Sequence, residues 1–213
     1  MIDLVKHCEQ SIKNAWEEKS KLSSDILVME GMSSPKGRHL LNNLCDFDDA
    51  KYFEVGTWRG STFCSAMFKN VPKYAAACDN FRLDTFERKQ DSSLEIFKSN
   101  CSRFLPGLDY KFFNKTCFDI DMSELSDTIN VYFYDGYHKY YCQYGALEHF
   151  YDKLDNQFVY ICDDYNESHI KRATEAAVND LFNVKFWMDL SSVYNGDIKT
   201  WWNGYLVSVL EKK

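Results

Sequence analysis

The chain has 213 residues, of which 45% are hydrophobic and 27% charged, and its formal net charge at pH 7 is -7. This length and apolar content suit one domain with a full core rather than two large domains. The acidic balance and the lack of a basic run argue against a nucleic-acid partner or an anionic lipid surface, and no apolar run is long enough to predict a membrane span. The eight cysteines include no CxxC pair, which argues against a zinc knuckle or a thioredoxin-like site. Several lie inside apolar stretches, so we expect reduced thiols and a cytoplasmic location.

Two helices are predicted ahead of the first strand. Residues 2–21 form an amphipathic pattern whose apolar stripe consists of Val5, Cys8, Ile12 and Trp16. Residues 34–45 follow the turn GMSSPKG and predict a second helix. We therefore expect residues 1–48 to form a helical cap on an α/β core of residues 49–213, with the whole chain, 1–213, as a single domain.

Strands and helices are predicted to alternate along the rest of the chain. The predicted strands are 50–56, 73–79, 109–114, 129–135 and 157–164, and the predicted helices are 61–68, 83–104, 139–154 and 167–182. Two further strands, 184–190 and 201–210, are predicted to form a hairpin with its turn at Asn195 and Gly196. The alternation predicts an α/β fold in which a doubly wound, mostly parallel sheet carries helices on both faces, with a C-terminal antiparallel hairpin and N-terminal helices. Ligands of such sheets bind beyond the carboxyl ends of the strands.

A turn bracketed by glycines lies in YFEVGTWRGST, residues 52–62. Glu54 lies at the end of a predicted strand, Gly56 and Gly60 bracket the turn, and a helix is predicted to begin near Ser61. Glycine lets the backbone approach a ligand closely, and the N-terminus of a helix offers free N–H groups. An ordinary tight turn explains this pattern about as well as a ligand-binding turn does. The two glycines alone therefore do not predict a ligand site.

Asp79 ends the next predicted strand, where an acid commonly accepts hydrogen bonds from ribose hydroxyls. Together with this acid, the pattern ExGxxxG in the turn resembles the first motif of class I S-adenosylmethionine-dependent methyltransferases. The resemblance implies a Rossmann-like methyltransferase fold with S-adenosyl-L-methionine as cofactor, its methionine part facing the turn and its ribose held by Asp79. The candidate cofactor contacts of this motif are Glu54, Gly56, Thr57, Gly60, Ser61 and Asp79.

The segment ahead of the motif extends the resemblance. A Met-Ser turn, a short helix and then the glycine motif follow one another as in metal-dependent catechol-like O-methyltransferases, in which the turn covers the cofactor. Met32 and Ser33 are therefore candidate cofactor contacts, although a plain surface turn explains them nearly as well. The loop after the third strand, with Phe118, is expected near the adenine.

Three carboxylates stand at the ends of two predicted strands. Asp135 follows one strand, and Asp163 and Asp164 follow the other. Because neighbouring strand ends lie about 5 Å apart, the three acids repel one another unless one is protonated or a cation is bound. Oxygen ligands of this kind favour Mg²⁺, or Mn²⁺ or Ca²⁺, over zinc. The alternative is that one of the acids caps the helix that is predicted to begin near Glu167.

His138 follows Asp135 by three residues, in the sequence VYFYDGYHKYY. The pattern DGxHxY resembles a motif of the metal-dependent sugar and macrolide O-methyltransferases related to macrocin O-methyltransferase. The resemblance implies that Asp135, Asp163 and Asp164 hold Mg²⁺. His138 and Asp135 are the two candidates for the catalytic group that takes the proton of the acceptor hydroxyl.

These motifs together predict a Mg²⁺-assisted O-methyltransferase that acts on a hydroxyl of a sugar or of another small polyol or aromatic acceptor. The aromatic residues near the C-terminus are typical of ring stacking, of core packing or of a contact between two copies in a homo-oligomer; they are Trp187, Tyr194, Trp201 and Trp202. Three alternatives stay open: a metal-independent methyltransferase, a hydroxylase-like protein on the same fold, and a cofactor-binding module without enzymatic activity.

Overall fold

The computed structural model describes residues 2–82 and 92–213, and within them seven strands form one sheet. The strands are β1 (Lys51–Val55), β2 (Tyr74–Cys78), β3 (Lys111–Phe113), β4 (Ile129–Tyr134), β5 (Leu154–Cys162), β6 (Phe182–Leu190) and β7 (Tyr205–Lys212). Their order across the sheet is β3-β2-β1-β4-β5-β7-β6. The pairs among β1 to β5 are parallel, whereas β7 runs antiparallel to both β5 and β6. The predicted fold class, a mostly parallel sheet with an antiparallel C-terminal pair, is confirmed.

Helices pack on both faces of the sheet, as the alternation predicts. They are α1 (Leu4–Trp16), α2 (Ser24–Leu27), α3 (Pro35–Leu44), α4 (Ser61–Met67), α5 (Ser93–Phe104), α6 (Tyr140–His149) and α7 (Ser168–Leu181). Short 3-10 turns occupy Cys117–Asp119, Met122–Glu124 and Tyr151–Lys153. In the described part of the chain, none of the helices combines the length and the apolar character that crossing a membrane requires.

Two apolar clusters, one on each face, hold the layers together. Tyr52 and Phe53 are adjacent on β1, both fully buried, and they belong to different clusters because successive side chains of a strand point to opposite faces. The Tyr52 cluster includes residues of α1, α3, α4 and α5, and the Phe53 cluster includes residues of α6 and α7. The N-terminal helices therefore share an apolar core with the sheet.

The connection between β6 and β7 is longer than predicted. β7 begins at Tyr205, so residues 191–204 form a long link in which Trp202 lies outside the strand. Within this 191–204 segment, the backbone of Asp197 pairs with that of Trp202. Trp202 has a φ of 60° and Gly204 a φ of 87°, and these left-handed conformations cannot continue a strand. The predicted antiparallel pair and the turn at Asn195 and Gly196 are confirmed, but the second strand begins four residues later than predicted.

The predicted helix over 139–154 is shorter in the structure. α6 ends at His149, and Leu154 already pairs with Ile129 as the first residue of β5. Leu154, which the helical pattern had included, thus belongs to the sheet and not to the helix. Of the predicted helix over 83–104, α5 covers the part from Ser93 onward, and residues 83–91 lie outside the described residues.

Candidate functional site

A cavity of about 750 Å³ opens at the carboxyl ends of the central strands, where ligands of such sheets bind. Eight of the residues singled out in the sequence line it, namely Met32, Gly56, Asp79, Phe118, Asp135, His138, Asp163 and Asp164. Five others do not belong to the lining, namely Ser33, Glu54, Thr57, Gly60 and Ser61. One cavity therefore brings four of the nine candidate cofactor contacts, Met32, Gly56, Asp79 and Phe118, together with the acidic cluster.

Both glycines of the predicted turn are required by close packing. Gly56 has a φ of 87°, and a Cβ added there would lie 1.9 Å from the carbonyl oxygen of Asp135. Gly60 has a φ of 84° and immediately precedes α4; a Cβ there would lie 2.8 Å from Phe97. The turn after β1 consequently lies directly against the residue that follows β4.

Glu54 lies beneath the turn and not in the cavity. Its carboxylate is fully buried and accepts hydrogen bonds from the hydroxyls of Tyr52 and Thr62, the latter at 2.6 Å. Burial raises the pKa of Glu54 to about 8, against the opposing effect of the two hydroxyl donors. Because Thr62 belongs to the first turn of α4, Glu54 fixes the start of that helix.

The carboxylate of Asp79 ties the turn to the end of β2. Its Oδ2 accepts hydrogen bonds from the backbone N–H groups of Thr57, at 2.9 Å, and Trp58, at 2.7 Å. Its Oδ1 accepts from the N–H of Phe81 at 2.6 Å. The sequence predicted only a ribose contact for this acid, whereas the structure gives it a second task, since it orders the turn at the mouth of the cavity.

The N-terminal turn that carries Met32 is clamped onto the start of α4. A Cβ added to Gly31 would lie 2.0 Å from Oγ and 2.3 Å from Cβ of Ser61. Next to this contact, Glu30 and Arg59 form an ion pair at 2.5 Å. These contacts bring Met32 to the cavity wall, where it is 45% exposed.

The hydroxyl of Ser33 forms a hydrogen bond within the protein, and Ser33 does not line the cavity. The buried side chain of Arg38 donates from Nε to the hydroxyl of Ser33 at 3.0 Å and from Nη1 to the carbonyl of Ile26 at 2.9 Å. The following residue, Ser34, caps α3 by accepting a hydrogen bond from the N–H of Gly37 at 3.1 Å. Ser33 therefore supports the turn from behind while Met32 faces the cavity.

Asp135, His138 and Asp164 form the group that could hold a metal ion among the described residues. Their ligand atoms all lie within 4.8 Å of one another. Nε2 of His138 is 3.0 Å from Oδ2 of Asp164 and 3.6 Å from Oδ1 of Asp135. Asp163 stands outside this group, and its Oδ1 accepts a hydrogen bond from the N–H of Asp164 at 2.8 Å.

The predicted metal triad of Asp135, Asp163 and Asp164 is therefore reproduced only in part. Asp163 lines the same cavity but lies outside the group, and the backbone at Asp164 is left-handed, with a φ of 54°. His138, which the sequence suggested only as a catalytic base, joins Asp135 and Asp164 in the group. The predicted alternative of a helix cap fails, because α7 has Glu167 at its N-cap position and no side chain caps it.

The pKa values of the ionisable side chains in this cluster shift in different directions. Burial raises the pKa of Asp135 to about 6 and that of Asp163 well above its ordinary value. Burial also acts to raise the pKa of Asp164, but hydrogen bonds from His138 and Asn203 hold it below its usual range. Burial acts to lower the pKa of His138, yet its contacts with Asp135 and Asp164 raise it to about 10. The two carboxylates therefore favour the protonated form of His138.

Other residues of the lining escaped sequence reasoning. They include Trp58, Arg82, Tyr137, Lys139, Tyr141 and Asn203. Tyr137 and Tyr141 are 50% and 69% exposed, and the guanidinium of Arg82 lies 5.3 Å from the centre of the Tyr137 ring. The sequence signal for the two tyrosines was the motif DGxHxY, since Tyr137 lies within it and Tyr141 follows it directly. No sequence signal pointed to Asn203, because it is far from the motif in the chain.

Solved structures show where this architecture occurs elsewhere. An O-methyltransferase from Bacillus cereus in complex with SAH (S-adenosylhomocysteine) superposes with a TM-score of 0.62 at 13% identity, over 97% of this chain and 91% of that one. TrmN from Thermus thermophilus gives 0.61 at 12% identity over 89% of this chain, and the match spans only 52% of TrmN. An rRNA methylase from Streptococcus thermophilus gives 0.53 at 14% identity, over 82% and 93% of the two chains.

The chain has the Rossmann-like methyltransferase fold. At such low identities, structural likeness shows the fold alone. No family model and no curated protein matches the sequence. Because an rRNA methylase shares the fold, the expectation of no nucleic-acid partner rests only on the acidic charge of the chain.

Proposed function

We propose that this chain is an S-adenosylmethionine-dependent O-methyltransferase, assisted by a divalent metal ion, for a hydroxyl of a sugar or of another small polyol or aromatic acceptor. The observation that carries the proposal is the single cavity in which Gly56 and Asp79 adjoin the group of Asp135, His138 and Asp164. Likeness of fold to an O-methyltransferase in complex with SAH supports the choice of cofactor.

The residues at the cofactor end fit S-adenosylmethionine. A Cβ has no room at residue 56, so Gly56 exposes backbone without a side chain to the cavity. The carboxylate of Asp79 lies at the cavity wall beside that turn. Met32 and Phe118, 45% and 38% exposed, offer apolar surface to a ring or a methylthio group. When bound, the cofactor supplies an electrophilic methyl group on a sulfonium.

The donor set at the other end fits a divalent cation. Asp135 and Asp164 offer carboxylate oxygens, as Mg²⁺ and Ca²⁺ prefer, and the imidazole of His138 shifts the preference towards Mn²⁺. Asp163 lines the same cavity as a buried acid with a raised pKa, and a nearby cation would favour its ionised form. When bound, such an ion lowers the pKa of a coordinated hydroxyl.

Two side chains are placed to handle the proton of the acceptor hydroxyl. A metal ion binds only the neutral imidazole of His138, and Asp135 and Asp164 would serve as its carboxylate ligands. Whichever of His138 and Asp135 is not bound to the ion accepts the proton of the hydroxyl, whose pKa the ion lowers. In either role His138 stays close to both acids, with Nε2 3.6 Å from Oδ1 of Asp135 and 3.0 Å from Oδ2 of Asp164.

The acceptor end of the cavity carries aromatic faces. Tyr137 and Tyr141 lie beside His138 in the lining, and Trp202 lies next to Asn203. Aromatic faces of this kind stack on aromatic rings and on the apolar faces of sugars. The cavity therefore suits a ring that presents a hydroxyl to the Asp135 side.

A transfer assay tests this function. Purified protein is incubated with S-adenosylmethionine, Mn²⁺ and a panel of catechols, polyols and sugars, and the S-adenosylhomocysteine formed is measured. We expect turnover that EDTA lowers at least tenfold and that Asp135→Asn lowers at least a hundredfold. The matched control Asp109→Asn alters an exposed acid outside the cavity and should keep full activity. Tight cofactor binding without transfer to any acceptor would favour a non-enzymatic module instead.

A second candidate is a hydroxylase-like enzyme on the same fold. The observation behind it is the histidine beside two carboxylates in the group of Asp135, His138 and Asp164. Iron in oxygen-using enzymes commonly takes two histidines and one carboxylate, and only His138 is placed for such a role. Metal analysis of the purified protein separates the two candidates. Stoichiometric iron that Mn²⁺ or Mg²⁺ does not displace would favour the hydroxylase.

A further inference from the structure

Asn203 connects the 191–204 segment to the acidic cluster. Its side-chain Nδ2 donates to Oδ1 of Asp164 at 2.5 Å, and its Oδ1 accepts from the backbone N–H of Gly196 at 2.8 Å. An ionised carboxylate only accepts and a backbone N–H only donates. The two partners therefore fix the orientation of the amide, because a flipped amide would face both with the wrong group.

The backbone clamps the same two stretches together. The N–H of Asn166 donates to the carbonyl of Asn203 at 2.9 Å, and the N–H of Tyr165 donates to the carbonyl of Gly204 at 3.0 Å. These bonds hold the chain around Asp164, whose φ of 54° is uncommon for a residue with a side chain. The 191–204 segment thus stabilises the backbone turn that directs Asp164 into the cavity.

The hydrogen bond also divides the two oxygens of Asp164 between two tasks. Asn203 occupies Oδ1, while Oδ2 faces His138 at 3.0 Å. With only 9% of Asp164 exposed, its carboxylate has little freedom to rotate. A carboxylate held in this way presents one defined oxygen to the cluster, as hydrogen-bonded metal ligands commonly do.

We propose that Asn203 is a positioning residue that orients Asp164 for metal binding and thereby couples the 191–204 segment to the catalytic cluster. The inference rests on the proposed metal centre of Asp135, His138 and Asp164. It assigns a role to Asn203 in WWNGYL, a residue that the sequence placed only within a predicted strand.

Titration calorimetry with Mn²⁺, in the presence of saturating S-adenosylhomocysteine, tests this role. We expect Asn203→Ala to weaken Mn²⁺ binding by roughly 10- to 100-fold, the usual cost of losing a partner that orients a metal ligand. Asn203→Ser, which keeps a small polar side chain too short to reach Asp164, should lose affinity in the same direction. The matched control Asn195→Ala removes another amide of the segment, one that contacts Asn166 and Glu167 and not Asp164.

A double-mutant cycle separates positioning from a general loss of structure. If Asn203 acts through Asp164, Asn203→Ala should weaken Mn²⁺ binding by less than about 3-fold when Asp164→Asn is already present. The affinity for S-adenosylhomocysteine should stay within about 2-fold of the unmodified protein in every variant.

Four results would overturn the inference. Mn²⁺ affinity unchanged in Asn203→Ala, or losses that simply add in the double variant, would remove the positioning role and leave the proposed function intact. A loss of S-adenosylhomocysteine binding equal to the loss of Mn²⁺ binding would assign Asn203 to general folding. If the unmodified protein binds S-adenosylhomocysteine but no Mn²⁺, the metal centre itself is wrong, and the role of Asn203 is wrong with it.

Discussion

Gly31 lies against Ser61 so closely that an added Cβ would be 2.0 Å from the serine hydroxyl and 2.3 Å from its Cβ. Rotation of the hydroxyl cannot relieve this contact, because the Cβ of Ser61 is fixed by the backbone. The turn that carries Met32 therefore closes onto the start of α4 only because residue 31 has no side chain. Cofactor binding should depend on this contact, since Met32 lines the cavity and Ser61 begins the helix beside the glycine turn.

Gly31→Ala should weaken the affinity for S-adenosylhomocysteine and lower the free energy of unfolding by about 1–3 kcal/mol, because the turn must move away from Ser61. Calorimetric titration and urea denaturation measure the two effects. Gly145→Ala is the matched control: it lies within α6, and its nearest atom to an added Cβ is at an ordinary 3.5 Å. Equal behaviour of the two variants would contradict the proposed closure.

The buried carboxyl of Glu54 should make stability depend on pH. Its pKa is about 8 in the folded protein and 4.5 in the unfolded chain, so the folded state binds the proton more tightly. This contribution to stability is complete below pH 4.5 and disappears as the pH rises towards 8. The free energy of unfolding of the unmodified protein should therefore fall between about pH 5 and 8 by at least ~1 kcal/mol more than that of Glu54→Gln. Denaturation curves with parallel pH dependence would rule this effect out.

Asp164 and Asp163 should contribute unequally to metal binding. Asp164 shares the cluster with Asp135 and His138, whereas Asp163 bonds to the neighbouring backbone. We expect Asp164→Asn to weaken Mn²⁺ binding by roughly 100-fold or more and Asp163→Asn by less than about 10-fold. Calorimetry on the two variants provides the comparison. A larger loss for Asp163→Asn would restore the ligand set that the sequence implied.

The cysteines should be unreactive in the folded protein. All eight are free and buried, and burial raises the pKa of thiols such as Cys45 and Cys78 well above the ordinary value. A colorimetric thiol reagent should label none of them within minutes in buffer and all eight in denaturant. Rapid labelling of the native protein would show that part of the core opens readily.

Sequence reasoning recovered the features that depend on local pattern. Apolar runs bounded by turns located the sheet, and glycines beside a strand end located the turn at Gly56. Acids that follow strands, such as Asp135 and Asp164, were predicted to meet because the carboxyl ends of parallel strands share one edge of the sheet.

What escaped prediction depends on contacts between distant segments. Asn203 meets Asp164 across 39 positions in the chain, and Gly31 meets Ser61 across a helix and a strand. No periodicity encodes the left-handed φ of 54° at Asp164 or the position of Asp163 outside the group. The second task of Asp79, its hydrogen bonds to the glycine turn, follows from the register of β1 and β2.

Calorimetric titration of the purified protein with S-adenosylhomocysteine tests the central claim most directly. The account predicts binding in the micromolar range, weakened at least tenfold by Asp79→Asn, because the variant loses a charge at the cavity wall that also orders the glycine turn. The exposed-site control Asp109→Asn should bind as the unmodified protein does. Absence of binding, or equal affinity in Asp79→Asn, would contradict the assignment of this cavity to S-adenosylmethionine.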